Sequence, residues 1–303
     1  MFVFNPDPYL MPSYRISPFA TSDVGFNHSL PDNNFIDTYF NDRFNGRKYY
    51  FTLNGRAAIN IALSHYNLQK DDIVTVLTTT GNFYISGCVT KEIENFCKWS
   101  RKIEPLTKVI LVNHEFGYPC KDLLALKELG IPIIEDCAHS FFSFDEKKII
   151  GTVGDFVIYS FPKMFPIQIG GLLLSNIDDE IKMNTFISKE EIQYIKNVLS
   201  HYICNKNEIT EKRLINYYSL SHKLKEIGLN ERFDLLDDII PGVFMFQKGN
   251  HQIELSELKK HLYLHGIQCS VFYGEESFFI PVHQNLSEVD IEYFISVIKI
   301  FLK

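Results

Sequence analysis

The chain has 303 residues, 46% of them hydrophobic, which is enough to bury one large core and a second, smaller one. A net charge of −7 with no basic stripe argues against a nucleic-acid binder. No apolar run reaches the roughly 18 residues of a membrane helix, and the first residues lack the basic-then-apolar pattern of a signal peptide.

The six cysteines, Cys88, Cys97, Cys120, Cys137, Cys204 and Cys269, show neither CxxC nor Cys/His ligand spacing. They read as free thiols of a reducing, cytoplasmic setting rather than as a disulfide or zinc framework.

In chain order, residues 1–45 are rich in Pro, Asn, Asp and Phe and carry little periodicity. They read as an irregular arm over the body or a partner subunit, and their frequent aromatics argue against a disordered tail. Asn54 then opens a helix to about residue 66, with Ala58, Ile61, Ala62 and Tyr66 on one face. Residues 72–79 form a strand, followed by Gly81-Asn82-Phe83-Tyr84. An amphipathic helix is predicted over 89–103, with Val89, Ile93, Phe96 and Ile103 inward. A buried-type strand at 108–112 ends in Asn113-His114-Glu115-Phe116-Gly117-Tyr118-Pro119, and a helix at 122–129 returns to a strand at 131–134. Strand, helix and strand with short links predict parallel pairing through a right-handed crossover.

Residues 131–176 organise the rest. Three apolar strands, at 131–134, 156–161 and 172–174, alternate with chemically useful side chains. Glu135-Asp136 closes the first strand and Ser160 the second, and Lys163 follows in a loop leading to Gly170-Gly171. An acid at one strand end and a lysine after the next suit a cofactor that needs both groups, because sites in open α/β sheets gather at the carboxyl ends of strands. Beyond residue 176, helices are predicted at 188–203, 210–227, 256–265 and 287–302, with strands at 242–247 and 267–273. Gly266 reads as a helix C-cap, and Ser287 with Asp290 has capping-box spacing.

The central block resembles the DegT/StrS family of pyridoxal-phosphate (PLP) sugar aminotransferases, members of fold type I. The resemblance is carried by Glu135-Asp136-Cys137-Ala138-His139, Gly151-Thr152-Val153-Gly154-Asp155, Ser160-Phe161, Lys163 and Gly170-Gly171. The spacing Lys163-Met164-Phe165-Pro166 matches a subset of members with a short serine-to-lysine link. Asn54-Gly55-Arg56-Ala57-Ala58 resembles the family's phosphate-binding helix start, and 114–119 its His-x-Tyr/Phe-Gly-x-Pro turn. The resemblance extends over about residues 50–303 and is weakest at 177–240.

It implies an α/β fold: a large domain at 46–180, with a mixed, mostly parallel sheet between helices, plus a helical connection and small α+β domain at 181–303. It implies that Lys163 forms the Schiff base and shuttles the proton, and that Asp136 faces the ring nitrogen. The amides of Gly55, Arg56 and Ala57 and the Ser160 hydroxyl would hold the phosphate. An aromatic, Phe83 or Tyr84, would stack on the ring. His139 would lie near the ring oxygen or serve as a buried structural histidine, Glu135 is structural, and Asp155 orders the loop below. His114 could touch substrate or cofactor, and otherwise is a hydrogen-bonded turn residue.

The reaction implied is transfer of an amino group, from glutamate by family expectation, to a keto group of a nucleotide-linked sugar for a surface polysaccharide, in a homodimer. Lysine rather than histidine at 163 favours transamination over dehydration. Two features depart from longer members: the further strand expected near 89–103 and the Asn…Arg-Met segment after the Gly-Gly strand are not found. Competing readings are a non-catalytic binding or partner subunit and a PLP aminotransferase for a small non-sugar substrate. A nicotinamide enzyme ranks last, since no G-x-G-x-x-G follows a strand.

Overall fold

The computed structural model describes residues 13–145, 149–183 and 187–303. Two compact units emerge, Phe19–Lys206 and the pairing of Met1–Pro18 with Asn207–Lys303. The larger unit therefore takes in residues that the sequence reading assigned to an arm and to a connection.

The larger unit begins with α1 (Asp23–Ser29) and α2 (Phe35–Arg43), then β1 (Tyr49–Thr52), α3 (Gly55–His65), β2 (Ile73–Thr78), α4 (Gly87–Glu94), β3 (Lys98–Ser100) and β4 (Thr107–Asn113). It continues with α5 (Leu123–Lys127), β5 (Ile133–Asp136), β6 (Phe156–Ser160), β7 (Gly171–Ser175) and α6 (Lys189–Ile203). The seven strands form one sheet in the order β1-β7-β6-β5-β4-β2-β3. β7 runs antiparallel to both of its neighbours, and the other pairings are parallel. β1, β6, β5, β4 and β2 thus all end on one edge of the sheet, where β7 begins. Central strands are apolar on both faces, as Val109, Ile110, Leu111 and Val112 of β4 show, because helices cover both sides of such a sheet. Asn54 caps α3, which buries Ala58, Ile61 and Ala62 against the sheet.

Two sequence expectations are corrected. Residues 19–45 are not an irregular arm: they carry α1 and α2. α2 has no strong apolar stripe of its own and buries only Ile36 and Phe40. Distant partners hold it instead. Ser200 Oγ accepts the Ile36 N–H at 2.9 Å, and Lys196 meets Asp37 at 2.6 Å. Phe40 joins a ring cluster with Phe44 and Tyr49 at 5.4 Å and Phe161 at 6.1 Å. Aromatic contacts of this kind add about 0.5–1.5 kcal/mol each beyond the area they bury.

The second correction concerns 89–103. The helix stops at Glu94, and Lys98–Ser100 forms β3, the edge strand paired with β2. The strand expected from the family is present, and three residues are too few to imprint a period of two on the sequence.

The smaller unit comprises α7 (Lys206–Lys225, whose first residue falls in the larger unit), β8 (Asn230–Glu231), β9 (Phe244–Gln247), α8 (Leu255–Leu264), β10 (Ser270–Phe272), β11 (Ser277–Ile280) and α9 (Glu288–Phe301). Its antiparallel sheet has the order β10-β11-β9-β8. Gly266 takes φ +74 after α8, and Ser287 and Asp290 make the expected reciprocal cap on α9. β8 and β11 were not predicted, being short or lacking alternation.

Within this unit Arg213 is fully buried, donating to Gln284 Oε1 at 2.9 Å and to the Pro241 carbonyl at 3.1 Å. Burial, with the nearby Arg213 charge, pushes the His283 imidazole down to a pKa of about 3. Its Nδ1 accepts the Asn285 N–H at 3.3 Å, as a neutral ring can. The folded state therefore favours the uncharged ring. His283 contributes stability above the unfolded value of 6.5 and loses it as pH falls towards the folded one. We expect unfolding free energy to drop by up to about 1.4 kcal/mol per pH unit from this group below that value. Urea titrations between pH 7 and 5 check it: the slope should be shallower in His283→Gln.

Candidate active site

The residues singled out from the sequence converge on the edge where the parallel strands end. Asp136 is the last residue of β5 and Ser160 the last of β6, and Asn54 opens α3 just after β1. All lie within the larger unit.

Asp136 is 4% exposed, and two neutral donors hold it. Asn113 Nδ2 donates to its Oδ2 at 2.7 Å, and the Ala138 N–H to its Oδ1 at 3.0 Å. Burial pushes its carboxyl above the usual range, against the opposing pull of these donors and of the Lys163 charge. Lys163 sits in the single 3-10 turn Phe161–Lys163 that follows β6. Burial pushes its ammonium down, and nearby Cys88 and Asp136 act against that. Asp136 and Lys163 are thus close enough for each to alter the other's proton affinity, as chemistry shared between them requires.

α3 presents its N-terminus to Ser160. A methyl group on Gly55 would lie 3.3 Å from Ser160 Cβ and 3.7 Å from its Oγ. Asn54 Oδ1 accepts the Ala57 N–H at 2.9 Å. That amide, one of three assigned to an anion, is therefore used by the cap, while helix geometry leaves the Gly55 and Arg56 N–H groups without an intrahelical acceptor. Gly171, pairing Thr52 at the start of β7, must be glycine: a Cβ there would sit 2.6 Å from the Asn54 carbonyl carbon.

Of the two candidate rings, Phe83 is 61% exposed. Tyr84 stacks on Phe116 at 6.4 Å, and Phe116 meets His139 edge-on at 5.2 Å. Tyr84, Phe116 and His139 form a line of rings leading back to the turn after Asp136. Phe116 adopts φ +53, an uncommon conformation for a bulky residue. Sequence reasoning did not single out Asn113, Phe116 or Cys88. Cys88 Sγ accepts from Arg56 Nη2 at 3.4 Å, and Cys88 is also near enough to act on Lys163. The place of Asn113 at the end of the predicted strand just before the family turn was the available signal.

Glu135 faces away from this chemistry. Its Oε1 accepts from the Val153 and Gly154 amides at 2.9 and 2.7 Å, and its Oε2 from Gly151 N–H at 2.7 Å and His114 Nε2 at 3.2 Å. Burial pushes its carboxyl up, but the His114 contact and these amides outweigh burial and leave it below the usual range. His114 Nδ1 accepts the Cys120 N–H at 3.0 Å, so Nε2 carries the proton and points at Glu135. His114, Glu135 and Cys137 have the proximity of metal ligands. With both ring nitrogens and both carboxylate oxygens engaged, they form a structural hub. Asp155 Oδ2 accepts the Ile133 N–H at 2.9 Å, tying the same turn to the start of β5.

The model of the DegT/DnrJ/EryC1/StrS aminotransferase family matches residues 96–227, a segment that holds Asp136, His139, Ser160 and Lys163. Over that segment the chain is similar to this family. Among its relatives are dTDP-3-amino-3,4,6-trideoxy-alpha-D-glucose transaminase of Micromonospora megalomicea subsp. nigra, 26% identical over 49% of this chain and 46% of that protein, and GDP-perosamine synthase of Vibrio cholerae, 31% identical over 41% and 39%. The chain thus spans less than half the length of the curated relatives it matches. The crystal structure of the aminotransferase TlmJ from Streptoalloteichus hindustanus superposes over 95% of this chain and 98% of its own, with a TM-score of 0.73 at 17% identity. That likeness establishes the fold, the fold type I aminotransferase architecture with its large, mostly parallel sheet.

Proposed function

We propose that the chain is a PLP-dependent aminotransferase that transfers an amino group, from glutamate, to a keto group of a nucleotide-linked sugar destined for a surface polysaccharide. The observation that carries this reading is the placement of Lys163, in the turn after β6, and of buried Asp136, at the end of β5, on the carboxyl edge of a parallel sheet, where each acts on the other's proton affinity. Aminotransferases of this family use PLP. The residues present fit that group. A buried carboxylate tethered only by neutral donors suits a protonated ring nitrogen. The Gly55 and Arg56 amides and the Ser160 hydroxyl offer anion donors beside it.

When bound, PLP supplies an electron sink for the carbon that loses or gains the amine. The protein's own residues do the rest. Lys163 gives the nucleophilic amine and, once released, carries the proton to and from the reacting carbon, a task that its lowered proton affinity favours. Asp136 keeps a proton on the ring nitrogen, and Asn113 holds Asp136 in line. Ser160 and the start of α3 anchor the phosphate. Tyr84 rather than Phe83 takes the ring-stacking role, because its ring sits in the row with Phe116 and His139.

The named relatives act on nucleotide-linked sugars, which supports that substrate class. Six free thiols support a cytoplasmic setting, and among the described residues no helix is long and apolar enough to cross a membrane. A homodimer is the assembly that the resemblance supports. An absorbance spectrum tests the reading. Purified protein given PLP should turn yellow, and glutamate should discharge the band. A colourless protein after PLP addition overturns the proposal in favour of a non-catalytic partner subunit. Discharge by simple amines, with transfer to small keto acids but not to nucleotide sugars, would redirect the substrate.

A further inference from the structure

The loop from Thr79 to Ser86 carries Tyr84 and lies between β2 and α4. Two charged side chains from elsewhere in the chain hold it. Arg101, just past the edge strand β3, reaches back along the end of β2: Nη1 donates to the Val76 carbonyl at 2.6 Å, and Nη2 to Thr78 Oγ1 at 3.0 Å and to the Asn82 carbonyl. Glu115 lies in the turn after β4 and is 2% exposed. Its Oε2 accepts the Thr80 N–H at 3.0 Å, its own N–H donates to Thr79 Oγ1 at 3.0 Å, and Thr79 Oγ1 donates to the Tyr118 carbonyl at 2.7 Å. Arg101 and Glu115 do not pair directly; each feels the other's charge across the loop.

The two turns joined in this way present the two stacked rings, Tyr84 from one and Phe116 from the other. Phe116 directly follows Glu115 and holds its left-handed backbone there. Backbone in that region persists only where its surroundings over-determine it. Burial pushes the Glu115 carboxyl above the usual range, a cost that ordinary loop closure does not require. Glu115 occupies the unspecified position of the His-x-Tyr/Phe-Gly-x-Pro turn, and Arg101 directly follows β3.

We propose that Arg101 and Glu115 are positioning residues that latch the β2–α4 loop to the turn after β4 and thereby fix the Tyr84 ring over the cofactor site. The assignment rests on the functional reading above, and concerns orientation of the bound ring rather than any proton transfer. A guanidinium is needed at 101 because one planar group must serve three acceptors at different places, which an ammonium on a flexible stem cannot match.

The test uses the full chain with PLP bound, comparing wild type with Arg101→Met, Glu115→Ala and Glu115→Gln. Three quantities are read: the visible circular dichroism of the bound cofactor, steady-state kinetics, and backbone hydrogen exchange in the PLP-free protein. Arg101→Met and Glu115→Ala should weaken or reshape the dichroic band and lower kcat by roughly 10–100-fold, as small misplacements of reacting groups do. Exchange should rise at residues 80–86 while the central strands stay protected. Glu115→Gln keeps an oxygen for the Thr80 N–H and should restore the dichroic band and slow exchange. Unchanged dichroism and kcat in both disruptive variants, or loss of protection throughout the sheet with no effect specific to the loop, overturn the latch. A wild-type protein that takes up no PLP overturns the functional reading itself, a failure recognisable before any substitution is made.

Discussion

Replacing Lys163 by alanine is expected to abolish the yellow colour of PLP-loaded protein and to lower transamination by roughly 10³-fold or more, since one amine serves as both anchor and proton carrier. The fold should survive. Lys163 lies in a short turn, and burial already disfavours its charge, so its removal should leave thermal stability close to that of wild type. Lys163→Arg should be as inactive as Lys163→Ala, because a guanidinium stays protonated at any working pH and cannot serve as the nucleophile. The informative pattern is lost colour with unchanged unfolding. A yellow, active Lys163→Ala protein would move the chemistry to another amine and remove the basis of the functional reading.

The largest effect on stability is expected from Glu135→Ala. Its side chain is fully buried and satisfies three backbone amides of the 151–154 turn together with His114. Alanine would strand all four donors in a site that water does not readily enter. Breaking one partner out of a buried charged network costs about 3–5 kcal/mol, and the stranded amides act in the same direction. Chemical or thermal unfolding should show a loss of that order in protein without PLP, which separates this role from one in catalysis. Glu135→Gln should also be destabilised, because its amide nitrogen must face donors. A neutral result for both variants would mean that the 151–154 turn does not depend on its carboxylate.

These two residues show how differently neighbouring motif positions can act. Asp136 and Glu135 are adjacent on β5, and alternation sends them to opposite faces of the strand. One meets Asn113 and the charge of Lys163; the other plugs a turn. The sequence pair was legible as a strand end carrying two acids, and the resemblance separated a structural from a chemical role. Ser160, the start of α3 and Gly170-Gly171 were legible for the same reason: short-range motifs reflect local demands such as a cap, a tight turn or a close approach of backbones.

Local pattern by itself settled the strands β2, β4, β5, β6 and β7, the helices α3, α6, α8 and α9 with their boundary signals, and the order of chemical groups along the chain. These follow from hydrophobic period and capping, which act over a few residues. Only tertiary structure decided that residues 19–45 form helices, since α2 owes its place to Ser200, Lys196 and the Phe40 cluster, all supplied from elsewhere in the chain. It likewise decided that Tyr84 faces Phe116 and His139 while Phe83 stays exposed, and that Arg101 and Glu115 join two separate turns. No local period encodes a contact between residues nineteen or more positions apart. Its energy comes from desolvated partners that meet only once the sheet has brought them together.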